Sequence, residues 1–207
     1  MRTFTRLTAT AAPLDRANVD TDAIIPVDYC INRERPHFDE GLFRRWRLDD
    51  AGEPRAAFVL NQPRFAGAGI LVAGPNFGCG SSREMAVWAL ADAGIRCVIA
   101  PSFGEIFYDN CFQNGVLPAI VDAAAGAALL DALARGNSAE VTVDLETRTI
   151  RGPDGVEVPL HIDDLRAGML IEGLDPIAST LAFGDAIEAF ESQERSARPW
   201  VQHPGAG

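Results

Sequence analysis

The stretch Gly74-Pro75-Asn76-Phe77-Gly78-Cys79-Gly80-Ser81-Ser82-Arg83-Glu84 decides how this chain reads. Ahead of it stands Ile70-Leu71-Val72-Ala73, a short apolar run bounded by glycines, which reads as a buried strand. Behind it, Met85 to Ala91 continues as helix, and Gly94 is a natural stop. Ser81 and Glu84 have the S-x-x-E spacing of a capping box, so the helix is expected over 82–93. A helix start carries free N–H donors and about half a positive charge. Gly78 and Gly80 bring bare backbone to that point, Ser81 and Ser82 add hydroxyls, and Arg83 adds a planar fork suited to a carboxylate. The combination reads as an anion site with two serines placed to touch the anion. Its side chains are expected to face a surface depression shared with Asp20–Asp22.

On the N-terminal side, Phe4 to Ala11 reads as a first strand. Asn18-Val19-Asp20-Thr21-Asp22-Ala23-Ile24-Ile25-Pro26 then carries turn and cap chemistry at Asp20, Thr21 and Asp22. Its carboxylates either cap a helix or hold Arg83. Residues 27–36 form a polar loop with Cys30, Arg33 and Arg35. His37 to Trp46 reads as helix, with Phe38, Leu42, Phe43 and Trp46 on one side and Arg44, Arg45 and Arg47 as a solvated face. Phe58-Val59-Leu60 reads as a short strand.

On the C-terminal side, Ile95 to Ala100 is a strand, so strand, loop, helix and strand make a βαβ unit with a right-handed parallel crossover. A second unit follows, with a helix over Phe103 to Phe112, a stop at Asn114-Gly115 and a strand over Val116 to Val121. Phe103 and Phe107, with Ile106 or Asn110, mark the face that packs on the sheet. Ala123 to Arg135 is an Ala/Leu-rich helix with Asp122 at its cap. Glu140 to Leu145 and Thr147 to Arg151 alternate as exposed strands, and Pro153-Asp154-Gly155 turns the chain into a return strand over Val156 to Ile162. Helices near Asp164–Ala167, Pro176–Ala182 and Asp185–Glu194 follow, with a tail from Arg195 expected to fray.

The whole chain narrows the classes. Its 207 residues suit one domain. The net charge of −11 leaves no basic stripe for nucleic acid. All eighteen basic residues other than histidine are arginine, which removes Walker A, Schiff-base and general-base lysine chemistry. His37, His161 and His203 are scattered, as are Cys30, Cys79, Cys97 and Cys111, and no zinc or iron–sulfur spacing appears. Cys97 and Cys111 read as core. No run is long and apolar enough to span a membrane and no signal peptide starts the chain, so a soluble cytoplasmic protein is expected. A dinucleotide fingerprint is a poor match: Arg83 stands where G-x-G-x-x-G needs its third glycine, and Ile95–Ala100 ends at Pro101 without an acid for a ribose.

Gly80-Ser81-Ser82-Arg83-Glu84, with Asn76-Phe77-Gly78-Cys79 before it, resembles the signature of the aconitase superfamily's swivelling domain. Asn18 to Pro26, Ala100-Pro101-Ser102-Phe103 with Phe107, Asn114-Gly115-Val116-Leu117-Pro118, and Gly173-Leu174-Asp175-Pro176-Ile177 with Leu181 resemble further segments, so the likeness spans most of the chain. The resemblance is closest to the members that form separate small subunits and isomerise 2- and 3-isopropylmalate in leucine biosynthesis.

What the resemblance implies is an α/β fold of the swivelling β/β/α kind. Parallel βαβ units surround the Gly-rich loop, and a C-terminal hairpin and helices follow, as a single domain over 1–207. It implies a hydro-lyase that dehydrates and rehydrates a small 2-hydroxy diacid. It implies no cofactor on this chain and a 4Fe–4S cluster on a partner large subunit. Ser81 would be the general base, Ser82 and Arg83 would bind substrate, and Asp20, Thr21, Asp22, Gly78, Cys79 and Gly80 would support them. The loop after Pro26 resembles the family's substrate-selecting loop. One departure stands out: the family usually has His after Arg-Glu, and here it is Met85. That keeps open a relative acting on citraconate, dimethylmalate or homoaconitate. A non-catalytic anion-binding regulatory subunit is the alternative of another class.

Overall fold

A computed structural model describes residues 2–31, 34–174 and 176–201. Arg33, Asp175 and His203 lie outside the described residues. The Ile70–Ala73 run is strand β2, preceded in the chain by β1 (Arg6–Leu14) and two short helices, α1 (Thr21–Ile24) and α2 (Arg44–Arg47). Every β2 residue is buried, and the strand serves two cores. Leu71 and Ala73 point into one, while Ile70 and Val72 point into the other, as the two-residue period of a strand requires. A strand covered on both faces reads as a continuous apolar run.

From β2 the chain runs through helix α3 (Glu84–Asp92), β3 (Cys97–Ala100), α4 (Glu105–Gln113) and β4 (Leu117–Ile120). Helix α5 (Ala123–Arg135) leads to β5 (Glu140–Asp144), β6 (Thr149–Arg151) and β7 (Glu157–Pro159). Among the described residues the strands make one seven-stranded sheet in the order β4-β3-β2-β1-β5-β6-β7. Strand β1 is the seam. Its Ala11–Leu14 half pairs in parallel with β2, and its Arg6–Thr10 half pairs antiparallel with β5. The parallel half carries the βαβ units, and the antiparallel half carries the C-terminal hairpin. Ala86, Val87, Ala89 and Leu90 of α3 enter one core, and Leu129 and Leu133 of α5 enter the other.

Two expected elements differ. Val59–Asn61 is a 3-10 turn rather than a strand, because the Asn61 side chain donates to the carbonyls of Arg47 and Arg55 and curls the segment. The expected helix over 37–46 breaks in two. Phe38–Gly41 is a 3-10 turn, Phe43 takes a left-handed φ of 47°, and a short helix follows over Arg44–Arg47. Burial decides this: Phe43 stacks on Trp46 and leans on Phe58, and its N–H donates to the Ile24 carbonyl. Arg44 and Arg47 are therefore not a solvated face. Arg44 donates to the Tyr29 hydroxyl, Arg47 donates to the carbonyls of Asp39 and Leu42, and Arg45 is exposed.

The chain closes with α6 (Asp164–Glu172), α7 (Pro176–Leu181) and α8 (Gly184–Ala197). Arg195–Ala197 thus complete α8, Pro199–Val201 form a 3-10 turn, and the rest of the tail lies outside the described residues. No helix among the described residues is long and apolar enough to cross a membrane.

Candidate functional site

The loop leaving β2 is held from two sides. On one side, Gly78 N–H donates to the Val19 carbonyl and Thr21 N–H to the Cys79 carbonyl, while the Thr21 hydroxyl donates to the Ser81 carbonyl at 2.8 Å. Asn76, at φ 61°, locks to Asn18, at φ 54°, through their side-chain amides. On the other side, Phe77 bridges to Phe103, and Phe103 stacks on Phe107. The loop is pressed so close to α4 that a methyl on Gly78 would lie 2.1 Å from the Phe107 ring. A methyl on Gly104 would lie 2.5 Å from the Gly78 carbonyl oxygen. Gly78 and Gly80 also sit at φ 72° and 89°, where a side chain is strained.

Asp20 caps a helical turn over Thr21–Ile24 by accepting from Ala23 N–H at 2.6 Å. Asp22 instead takes Arg83: the guanidinium Nη1 meets its carboxylate at 2.5 Å and the Ile25 carbonyl at 3.3 Å. Both roles left open for the acidic pair are thus filled, one by each residue. The Cys30 thiol feels the same pair. Burial pushes its pKa up, the nearby Arg83 charge pulls it down, and Asp22 pushes it up again.

The Ser81 capping box does not form. Arg83 is the N-cap of α3, no side chain caps it, and Glu84 accepts from the Asn114 amide at 3.0 Å. Asn114 outcompetes the helix start for the Glu84 carboxylate. Ser81 and Ser82 are left exposed, and neither hydroxyl has a partner among the described residues. Met85 packs against the core.

The expected depression exists, but with different walls. A cavity of about 140 Å³ is lined by Gly78, Cys79, Gly80, Ser81, Gly104, Glu105, Ile106 and Phe107. Its far wall is the start of α4, not Asp20–Asp22. The Phe77–Phe103 bridge sets the two loops side by side, while Asp20 bridges to Cys79 without entering the cavity walls. Arg83 and Ser82 are not among its walls. Two nine-residue helices start near this cavity without a side-chain cap, α4 with Glu105 and Ile106 in its walls and α3 three residues after Ser81, and such starts carry free N–H donors. Gly104 after Pro101-Ser102-Phe103 was a legible signal for this second helix start; its approach to Gly78 was not. Among the described residues no three His, Cys, Asp or Glu side chains gather as a metal site.

Comparison with known proteins turns this geometry into a family. A family model described as the aconitase C-terminal domain matches residues 1–124, and another, LeuD_N, matches residues 127–164. A third, the C-terminal domain of the 3-isopropylmalate dehydratase small subunit, matches residues 177–203. A 3-isopropylmalate dehydratase small subunit of Agrobacterium fabrum is 49% identical over 97% of this chain and 100% of its own. The chain belongs to the family of 3-isopropylmalate dehydratase small subunits. A small subunit from Mesorhizobium japonicum is 50% identical over the same shares. The crystal structure of a 3-isopropylmalate dehydratase (leuD) from Methanocaldococcus jannaschii is 26% identical, covers 91% of this chain and 99% of its own, and superposes with a TM-score of 0.61. The small-subunit family thus accounts for the mixed sheet, the Gly loop at its centre and the helices at the C-terminus.

Proposed function

We propose that this chain is the small subunit of a two-subunit hydro-lyase that interconverts 2- and 3-isopropylmalate through 2-isopropylmaleate, in the cytoplasm, for leucine biosynthesis. The relatives near 50% identity carry that activity in their names, which favours isopropylmalate over citraconate, dimethylmalate or homoaconitate despite Met85. The observation that carries the chemistry is Ser81, the sole hydroxyl side chain among the walls of the cavity between the Gly loop and the uncapped start of α4.

The substrate is a dianion, and both helix N-termini and Arg83 favour its carboxylates. Arg83 has Nη1 committed to Asp22 and Ile25, which leaves Nε and Nη2 to grip a carboxylate, with Ser82 beside it. Ser81 takes the proton from the C–H carbon. The C–H electron pair becomes the double bond, the hydroxyl leaves the neighbouring carbon, and water adds back in the other orientation. N–H donors and nearby positive charge stabilise the serine oxyanion that this requires. Thr21 fixes the Ser81 backbone through its carbonyl. An iron–sulfur cluster, on this reading, belongs to the separate large subunit and would ligate the departing hydroxyl. The described residues here do not fit one, and no step on this chain runs through it.

Ser81→Ala in the reconstituted pair tests the reading. It removes the base and leaves the anion site charged, so kcat should fall about 10²–10⁴-fold with little change in KM. A folded variant keeping kcat within about threefold would move the base elsewhere, with Glu105 in the same cavity the next residue to change.

A further inference from the structure

A second depression, of about 420 Å³, is lined by Arg16, Arg45, Trp46, Arg55, Ala57 and Phe58. No acidic side chain lines it, although the chain as a whole carries a net charge of −11. Arg16, Arg45 and Arg55 are all exposed, and none makes an ion pair among the described residues. Asp49, close in sequence, turns one carboxylate oxygen onto the N–H groups of Ala51 and Glu53.

Two of the three cations are held in place by neutral contacts. The Arg16 guanidinium lies 4.5 Å from the centre of the Trp46 ring, and Trp46 is wedged against Phe43 and Phe58. Arg55 donates through Nε to the Leu48 carbonyl at 2.8 Å, which leaves its outer nitrogens unspent. Arg16, two residues past β1, also sits beside the start of the Gly loop, since Gly74 N–H donates to its carbonyl. Gathering three positive groups with no acidic side chain among the walls opposes folding, and holding two of them in fixed contacts is the footprint of an anionic partner.

The lining selects the kind of anion. It holds guanidinium groups and apolar faces but no hydroxyl, amide or imidazole side chain that would read a substrate hydroxyl. We propose that this depression docks an acidic segment of the large subunit. Carboxylates meet Arg16, Arg45 and Arg55, and an apolar side chain lies on Trp46 and Phe58. This surface rests on the two-subunit reading above and adds to it the face through which an acidic protein recruits its larger partner.

The test is the rate of association of the purified small subunit with its cluster-loaded large subunit, followed at several salt concentrations. The wild-type rate should fall as salt rises, since charges farther apart than about 10 Å are screened at 0.1 M. The R16Q/R45Q/R55Q variant should associate about tenfold more slowly at low salt and with a flatter salt dependence. A control of equal net charge, R6Q/R135Q/R151Q, should associate as the wild type does. The S81A chain should also associate normally, so failure of the surface and failure of the catalytic reading are separable. A triple variant as fast as its control would overturn the proposal. So would a wild-type rate indifferent to salt, which needs no variant to fold. Calorimetry with isopropylmalate and the isolated chain covers the other source of carboxylate. Binding that needs the three arginines, with subunit association unaffected by their loss, would likewise overturn it.

Discussion

Arg83 and Asp22 meet at 2.5 Å, with the guanidinium side chain 17% exposed and the carboxylate 45% exposed. The contact joins the start of α3 to the turn after β1, two segments sixty-one residues apart in the chain. It fixes one edge of the guanidinium and so sets the direction of the other. Asp22 thereby orients the Arg83 guanidinium.

Arg83→Lys keeps the charge and loses the planar fork. A charged hydrogen bond of this kind is worth roughly 1.5–3 kcal/mol, so kcat/KM should fall about ten- to a hundredfold, most of it in KM. Asp22→Asn should raise KM by no more than about fivefold, as suits a half-exposed ion pair, and leave kcat unchanged. Steady-state kinetics of the reconstituted pair decides both. A fall in KM for Asp22→Asn would show instead that Asp22 competes with the substrate for the guanidinium.

Gly78→Ala puts a methyl into the Phe107 ring at a φ of 72°. Overpacking and backbone strain together should lower stability by about 1–3 kcal/mol in urea denaturation. A variant as stable as the wild type would mean that Phe107 yields without cost.

The four thiols should divide in two. Cys97 and Cys111 are fully buried, and burial holds both pKa values far above the ordinary thiol range. Cys30 and Cys79 are half-exposed. At about pH 8 a thiol reagent should modify two cysteines in the native chain and four only after unfolding. Four fast reactions in the folded chain would contradict the core described here.

Asp144 links acid stability to the seam of the sheet. It is 6% exposed, accepts from Thr147 N–H at 2.9 Å and pairs with Arg6. These contacts, the Thr147 hydrogen bond foremost, lower its pKa below the ordinary value of 3.8. A depressed carboxylate stabilises the fold in full above its unfolded value, and that contribution is lost as pH falls through the folded value. Asp144→Asn should therefore be less stable than the wild type at about pH 7, with the gap narrowing below about pH 4. Denaturation curves at the two pH values check the sign, and a gap that widens in acid would refute it.

Much of this molecule follows from local sequence. Ile70–Ala73 is a strand because four apolar residues between glycines suit nothing else in so short a run. Ala123–Arg135 is a helix because Ala and Leu favour it and Gly136 ends it. The Gly loop and its serines were legible for the same reason, since glycine at positive φ and a helix start are short-range signals. The break at Phe43 was not, because local periodicity favours a continuous helix and only the Trp46–Phe58 cluster pulls the residue out of it.

The tertiary structure alone decided three things. It placed β1 at the seam, pairing in parallel with one neighbour and antiparallel with the other, since strand order depends on which distant segments meet. It gave Glu84 to Asn114, so that Ser81 lost its capping partner and kept its hydroxyl exposed. It also walled the cavity with α4 rather than with the acidic turn, through the pairing of Phe77 with Phe103. The sequence by itself determined which residues carry hydroxyl, guanidinium and bare backbone. Their neighbours were settled by long-range packing, because a side chain's partner is chosen by what the fold brings within a few ångströms, and no local pattern encodes that distance.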